Sequence, residues 1–161
     1  MQYGIKKIRH NVAMRGECKM GVQIFVNFNG NCREAVNFYA TVFDAEIPQF
    51  ITFDETQVPD GQQILDASER LIMYTELMVE GDNLRFCDAS SGNKFIIGNN
   101  ISLTIISEDV EKTTTYFNRM KENGTVEMDL QETYWSKCFG SVKDKYDVIW
   151  QFDTQENKTV E

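Results

Sequence analysis

Residues 26–43 read VNFNGNCREAVNFYATVF, and the change of rhythm inside them decides the fold. The stretch begins within Gly21–Phe28 (GVQIFVNF), where β-branched and aromatic residues recur with a period near two, the signature of a strand. Asn29-Gly30-Asn31 then breaks the alternation, and Asn31 is placed to cap a helix with Glu34 three residues on in the capping-box position. Beyond it Ala35, Val36, Phe38, Tyr39 and Val42 fall on one stripe of an α-helix. Further outward, 46–53 (EIPQFITF) predicts a strand with an edge or bulge at Pro48, because proline has no N–H for a ladder. Residues 54–69 predict a long polar loop around Pro59-Asp60-Gly61. Two more strands, 70–79 and 84–87, are joined by a hairpin at 80–83.

The order strand, helix, three strands then repeats after a polar bridge over 88–99. A strand is expected over 100–107. Ser107, Glu108 and Asp109 can cap a helix carrying Val110, Thr114, Tyr116, Phe117 and Met120, which Asn123-Gly124 stops. Strands follow at 125–130, 136–142 and 148–153, the last two joined by a turn at 143–147. A shift of 78 residues lays Val26 on Thr104, Phe28 on Ile106, Val36 on Thr114, Phe38 on Tyr116 and Tyr39 on Phe117. The chain is therefore read as α+β, with two βαβββ halves at 21–88 and 100–153. Their strands are expected to curl into one bent surface, with the helices outside and a cup inside. Residues 1–20 read as an N-terminal extension and 154–161 as a polar, frayed tail.

Bulk properties narrow the function classes. With 161 residues, 42% of them apolar, the chain fits one domain with a real core. A net charge of −9 opposes nucleic-acid binding, which needs a concentrated basic surface. No apolar run reaches the ~20 residues of a membrane helix. The basic start MQYGIKKIRHNVAMRGECKM lacks the apolar core of a secretory signal, so the cytoplasm is the expected location. Cys18, Cys32, Cys87 and Cys138 have neither C-x-x-C nor metal-finger spacing and read as reduced thiols.

Residues 26–43 resemble the N-terminal signature of the PhnB-like branch of the glyoxalase/bleomycin-resistance/dioxygenase (vicinal oxygen chelate) superfamily. Residues 130–152, LQETYWSKCFGSVKDKYDVIWQF, resemble that branch's C-terminal signature through Thr133, Tyr134, Trp135, Phe139, Gly140, Val142, Asp144, Tyr146 and Trp150. The resemblance covers about 21–153 and implies the glyoxalase-like curved sheet and, together with the aromatic richness, a homodimer. It also implies a divalent metal in the cup, held by side chains on the first and last strands of each half. Here those positions fall near Gln23 or Ile24, Cys87, Ser102 and Gln151, with no imidazole and no carboxylate among them. The family's His-Ala-Glu-Leu segment reads Tyr74-Thr75-Glu76-Leu77, and the one histidine, His10, lies in the extension. Gln23, Glu76, Cys87 and Gln151 remain as donors for a weakly held ion. No tightly bound metal and no cofactor are expected.

Glu76 alternates with Tyr74 and Met78 along one strand face. If that face lines the cup, a carboxyl among Tyr74, Met78 and aromatic rings has a raised pKa and suits acid–base work. If it faces outward, Glu76 is simply solvated. Cys87 as a nucleophile needs a neighbouring base or cation; no histidine is at hand and Arg85 is read as pointing to the opposite strand face, so a structural thiol is expected. Ser102 has no triad partner, and Asp88 reads as a turn residue. Tyr134, Trp135, Phe139 and Trp150 form the densest aromatic group, either core or interface on one reading, or a ligand wall on the other, with Gln131 and Thr133 as its polar groups. The candidate ligand-binding set is thus Tyr74, Glu76, Cys87, Gln131, Thr133, Trp135, Phe139 and Trp150.

Three functions compete. The leading one is a binder of a small molecule in the cup without a tightly bound metal. The others are a metal-dependent lyase or dioxygenase-type enzyme with atypical ligands, and a resistance-type binder that sequesters a toxic compound.

Overall fold

The structure, a computed structural model, describes residues 22–53, 71–89 and 94–155. The expected extension 1–20, the whole loop 54–69 and the tail beyond Gln155 lie outside the described residues. The first half runs β1 (Phe25–Phe28), α1 (Cys32–Val42), β2 (Ile51–Thr52), β3 (Ile72–Val79) and β4 (Asp82–Asp88). The second runs β5 (Leu103–Ser107), α2 (Val110–Met120), β6 (Thr125–Gln131), β7 (Cys138–Lys143) and β8 (Ile149–Thr154). Each half hydrogen-bonds its own four-stranded mixed sheet, in the orders β1-β4-β3-β2 and β5-β8-β7-β6, with the first strand parallel to the last. This is the predicted α+β pair of βαβββ units. The bent surface is built from two ladders, and β1 and β5 are both edge strands.

The repeat is legible with one offset. Shifted by 78, α1 lies on α2 and the buried Ala35, Tyr39 and Val42 fall on the buried Thr113, Phe117 and Met120. The strands do not obey the same shift: Phe28 is buried while Ile106 is exposed. From Phe28 to Cys32 the first connection is one residue longer than the second, from Ser107 to Val110. One residue of slip turns every side chain of a strand to the other side. The pairings of Val26 with Thr104 and Phe28 with Ile106 are therefore corrected.

Local chemistry explains most element ends. Asp109 caps α2, its carboxylate accepting from the amides of Glu111 and Lys112. Asn31 does not do the same for α1, since its side chain makes no cap bond. The task falls to Asp88 on β4, whose Oδ1 accepts from Gly30 N (2.9 Å) and Cys32 N (3.0 Å) and whose Oδ2 accepts from Ile72 N (2.7 Å). Asp88 is thus a buried tie between helix, first connection and sheet, not a turn residue. The β3–β4 hairpin is tighter than expected: Glu80 (φ 50°) and Gly81 (φ 93°) both take left-handed geometry, the two-residue turn that suits strand twist. Around Pro48 only Ile51–Thr52 pairs, with a register shift, so the strand predicted over 46–53 shrinks to two residues. At its end β8 reaches Thr154, which is buried and donates to Thr113, so the polar tail starts one residue later than expected.

The halves share one core, closed by reciprocal clasps. The β7–β8 turn presents buried Asp144 to α1: Oδ2 accepts from Tyr39 Oη (2.7 Å) and Trp150 Nε1 (2.9 Å), while Oδ1 accepts from the amides of Tyr146 and Val148. The β3–β4 turn presents Glu80 to α2, where it meets Tyr116 Oη at 3.0 Å and Lys112 Nζ at 2.7 Å. Between them Phe43 packs its ring on Tyr116 and Trp150. Gly140 lets α2 close on β7, because a Cβ there would lie 2.8 Å from Phe117 and 2.9 Å from Leu130.

Candidate functional site

Strand alternation sorts the candidate residues by face. In the first sheet Phe28, Thr75, Leu77 and Phe86 are buried on the side where α1 packs. The register pairs Glu76 with Arg85, Arg85 with Phe25 and Cys87 with Asn27, so these side chains share the face away from the helix. The expectation that Arg85 points opposite to Cys87 is wrong, since residues two apart on a strand share a side.

On that face a small polar centre sits among rings. Tyr74 Oη donates to Glu76 Oε2 at 2.7 Å, and Arg85 Nε lies 3.6 Å from the same oxygen. The Arg85 guanidinium stands 5.9 Å from the Phe25 ring centre and 5.8 Å from that of Tyr74, while donating to Gln23 Oε1. Arg85 Nε is buried and makes no hydrogen bond. Burial, and then the bond to Glu76, raise the Tyr74 phenol above its ordinary value, so it stays a donor. Glu76 is half-buried beside a guanidinium and a phenol, not in the apolar pocket that an acid–base role requires.

Cys87 donates to Asn27 Oδ1 at 2.9 Å, and burial followed by the nearby Asp88 pushes its thiol up. A raised thiol is a poor nucleophile, which fits the structural reading. Cys32 is raised in the same way. The described cysteines are all free.

The second cluster lies on the other half. Phe139 pairs with Gln131 and with Asp153, placing all three on the face of the second sheet away from α2. Trp135 packs edge-on against Phe139 at 5.6 Å and is 49% exposed, with Tyr134 against it at 4.5 Å. On the same face Ser141 donates to Glu127 and Thr104 to Gln151 Oε1. Thr133 is spent on a turn with Ser136. Trp150 is fully buried on the helix side, bonded to Asp144 and packed on Tyr39 and Phe43. It packs as a core residue and also borders the cavity between the start of β1, the β3–β4 hairpin and β5.

The eight predicted residues therefore split: Tyr74, Glu76 and Cys87 on one sheet, Gln131, Trp135 and Phe139 on the other, Thr133 in a turn and Trp150 in the core. Sequence reasoning missed Arg85, Phe25 and Asp153, although strict alternation from Cys87 and Gln151 reaches Arg85 and Asp153. Between the start of β1, the β3–β4 hairpin and β5 lies a cavity of about 420 Å³ whose polar lining includes Gln23, Asn83, Ser102 and Thr104.

The four positions implied for a metal do not fit one. Gln23 is engaged by Arg85, Cys87 by Asn27 and Gln151 by Thr104, and Ser102 is a neutral hydroxyl. Among the described residues no group of three or more His, Cys, Asp or Glu side chains stands close enough to hold an ion.

The model of a family described as 3-demethylubiquinone-9 3-methyltransferase matches residues 20–153. The chain belongs to that family. It is 29% identical over 143 residues to the protein YjdN of Escherichia coli K12, covering 83% of this chain and 95% of YjdN. A PhnB protein from Bacillus cereus superposes with a TM-score of 0.67 at 29% identity, over 84% of this chain and 99% of that one. A glyoxylase/bleomycin resistance protein/dioxygenase domain from Frankia shares the fold, with a TM-score of 0.57 at 10% identity over 86% of this chain and 99% of the other. The chain is thus a PhnB-like member of that family, as its two signatures imply, and it shares the fold of glyoxalase/bleomycin-resistance/dioxygenase domains. Among the described residues no helix is long and apolar enough to cross a membrane.

Proposed function

We propose that this protein binds a small organic molecule against the face carrying Phe25, Tyr74, Glu76 and Arg85, without help from a tightly held metal. The observation that carries the reading is Arg85: a guanidinium between two rings, with a buried Nε–H that makes no hydrogen bond and meets only the 3.6 Å ion-pair contact of Glu76. A donor kept from water without an acceptor is costly, and a planar acceptor on a ligand relieves it. The rings supply apolar contact, and Gln23, Glu76 and Tyr74 orient the guest, the usual make-up of a small-molecule site. Methyl transfer, the activity in the family's description, is not part of this reading. Asp88 and Asp109 already occupy the amides at the starts of α1 and α2, the places where an anionic group of a donor molecule is commonly held. We place the protein in the cytoplasm as a homodimer. Light scattering showing a monomer at micromolar concentration overturns the dimer.

The test is a thermal-shift titration with benzoate, benzamide and benzyl alcohol. Benzoate or benzamide is expected to raise Tm, the rise to be unchanged by EDTA and to vanish in Arg85→Ala. Equal shifts from all three probes, a shift retained in Arg85→Ala, or one abolished by EDTA overturns the reading.

A further inference from the structure

The second sheet carries a feature that the Arg85 site does not use. Asp153, on β8, is only 6% exposed. Its Oδ2 accepts from Gln155 Nε2 at 2.6 Å, while its Oδ1 is buried with no hydrogen-bond partner. An unpaired carboxylate oxygen removed from water is among the most costly groups a fold can carry, and native sites normally supply it with a donor. The donor is not on a neighbouring strand: directly opposite Asp153 stand Ile106 on β5 and Phe139 on β7, both apolar. Next to Phe139 stands Trp135, and next to that Tyr134, 96% exposed. A buried negative oxygen bordered by half-open π faces is the chemistry that holds an organic cation, through a charge-assisted hydrogen bond at the head and cation–π contact along the body.

We propose that Asp153, Phe139 and Trp135 form a subsite for the ammonium group of an organic amine. A metal ion fits less well, because among the described residues no group of three or more His, Cys, Asp or Glu stands together, and the strand partners of Asp153 are Ile106 and Phe139. The face adds to the preference, since Glu127 also lies on it, bonded to Ser141 at 3.3 Å. The first sheet differs, because there Arg85 offsets Glu76. This subsite stands independently of the Arg85 reading: it lies on the other half, uses other residues and takes a ligand of opposite charge.

The experiment is calorimetric titration of the full chain with benzylamine, with benzyl alcohol and benzoate as matched neutral and anionic probes. Benzylamine is expected to bind and the other two not to compete with it. Asp153→Asn, which keeps the shape and the bond from Gln155, and Trp135→Ala, whose side chain is half-exposed and outside the core, are each expected to weaken benzylamine at least tenfold. Should Asp153→Asn fail to fold, Trp135→Ala alone decides. Competition by benzyl alcohol, unchanged affinity in the variants, or a signal reproduced by sodium chloride at equal ionic strength overturns the proposal. So does the absence of benzylamine binding, whether or not the Arg85 face binds benzoate.

Discussion

The two clasps that close the halves on each other follow one plan and differ in depth. In each, a carboxylate at a strand–strand turn accepts a tyrosine hydroxyl from the other half's helix. Asp144 does so in the core, its two oxygens taking four donors. Glu80 does so at the surface, with Lys112 as its second partner. The buried clasp is all hydrogen bonds, with no ion pair to Asp144 among the described residues; the open one leans on charge. Satisfying a buried carboxylate is obligatory, while an exposed ion pair is worth little. The difference indicates that the half-to-half geometry is set at Asp144 and only trimmed at Glu80.

The comparison is broken most directly by Asp144→Ala, which strands Tyr39 Oη, Trp150 Nε1 and two amides. Urea unfolding is expected to show a loss of about 3 kcal/mol or more; a loss under ~1 kcal/mol would remove Asp144 from its ruling place. Next comes Tyr39→Phe, expected to cost about 1–2 kcal/mol, because Asp144 keeps the indole N–H. Burial first, and then Asp144, hold the Tyr39 phenol well above its ordinary 10.0. Below pH 10 both folded and unfolded forms keep this proton and stability does not respond to it. Above it the unfolded chain loses the proton while the folded one retains it, so unfolding becomes easier by about 1.4 kcal/mol per pH unit. Tyr39→Phe lacks that slope, and a pH series of denaturation curves from 9 to 12 for both proteins isolates the difference. Equal slopes would show that the phenol is not shielded. The smallest effect is expected for Glu80→Gln, about 0.5 kcal/mol and fading in 1 M salt. A salt-independent loss comparable to that of Asp144→Ala would erase the contrast.

Order and type of elements were legible because they rest on local periodicity: the stripe through Ala35, Tyr39 and Val42 needs no tertiary information. What escaped was set at long range. Asn31 and Glu34 look like a capping box, yet a carboxylate 56 residues further along takes the N–H groups. The C-terminal signature was legible as a pattern, and of its two readings the core one describes most of it: Gly140 makes room for Phe117, Asp144 clasps α1 and Trp150 fills the core. Tyr134, Trp135 and Phe139 of that stretch reach an open face. The Arg85 centre was within reach of simple alternation from Glu76 and Cys87; what hid it was the pairing of β1 with β4, which brings Phe25 and Gln23 alongside.

Asp88 also bears on how the chain is made. Its two oxygens bind the start of α1 and the start of β3, yet it is the last residue of β4. A nascent polypeptide emerging from the ribosome therefore exposes an uncapped amphipathic helix until that residue has cleared the exit tunnel. Helices of this length are marginal alone. The first half thus becomes cooperative only once Asp88 has emerged, and its apolar stripe is most open to chaperones or aggregation just before then.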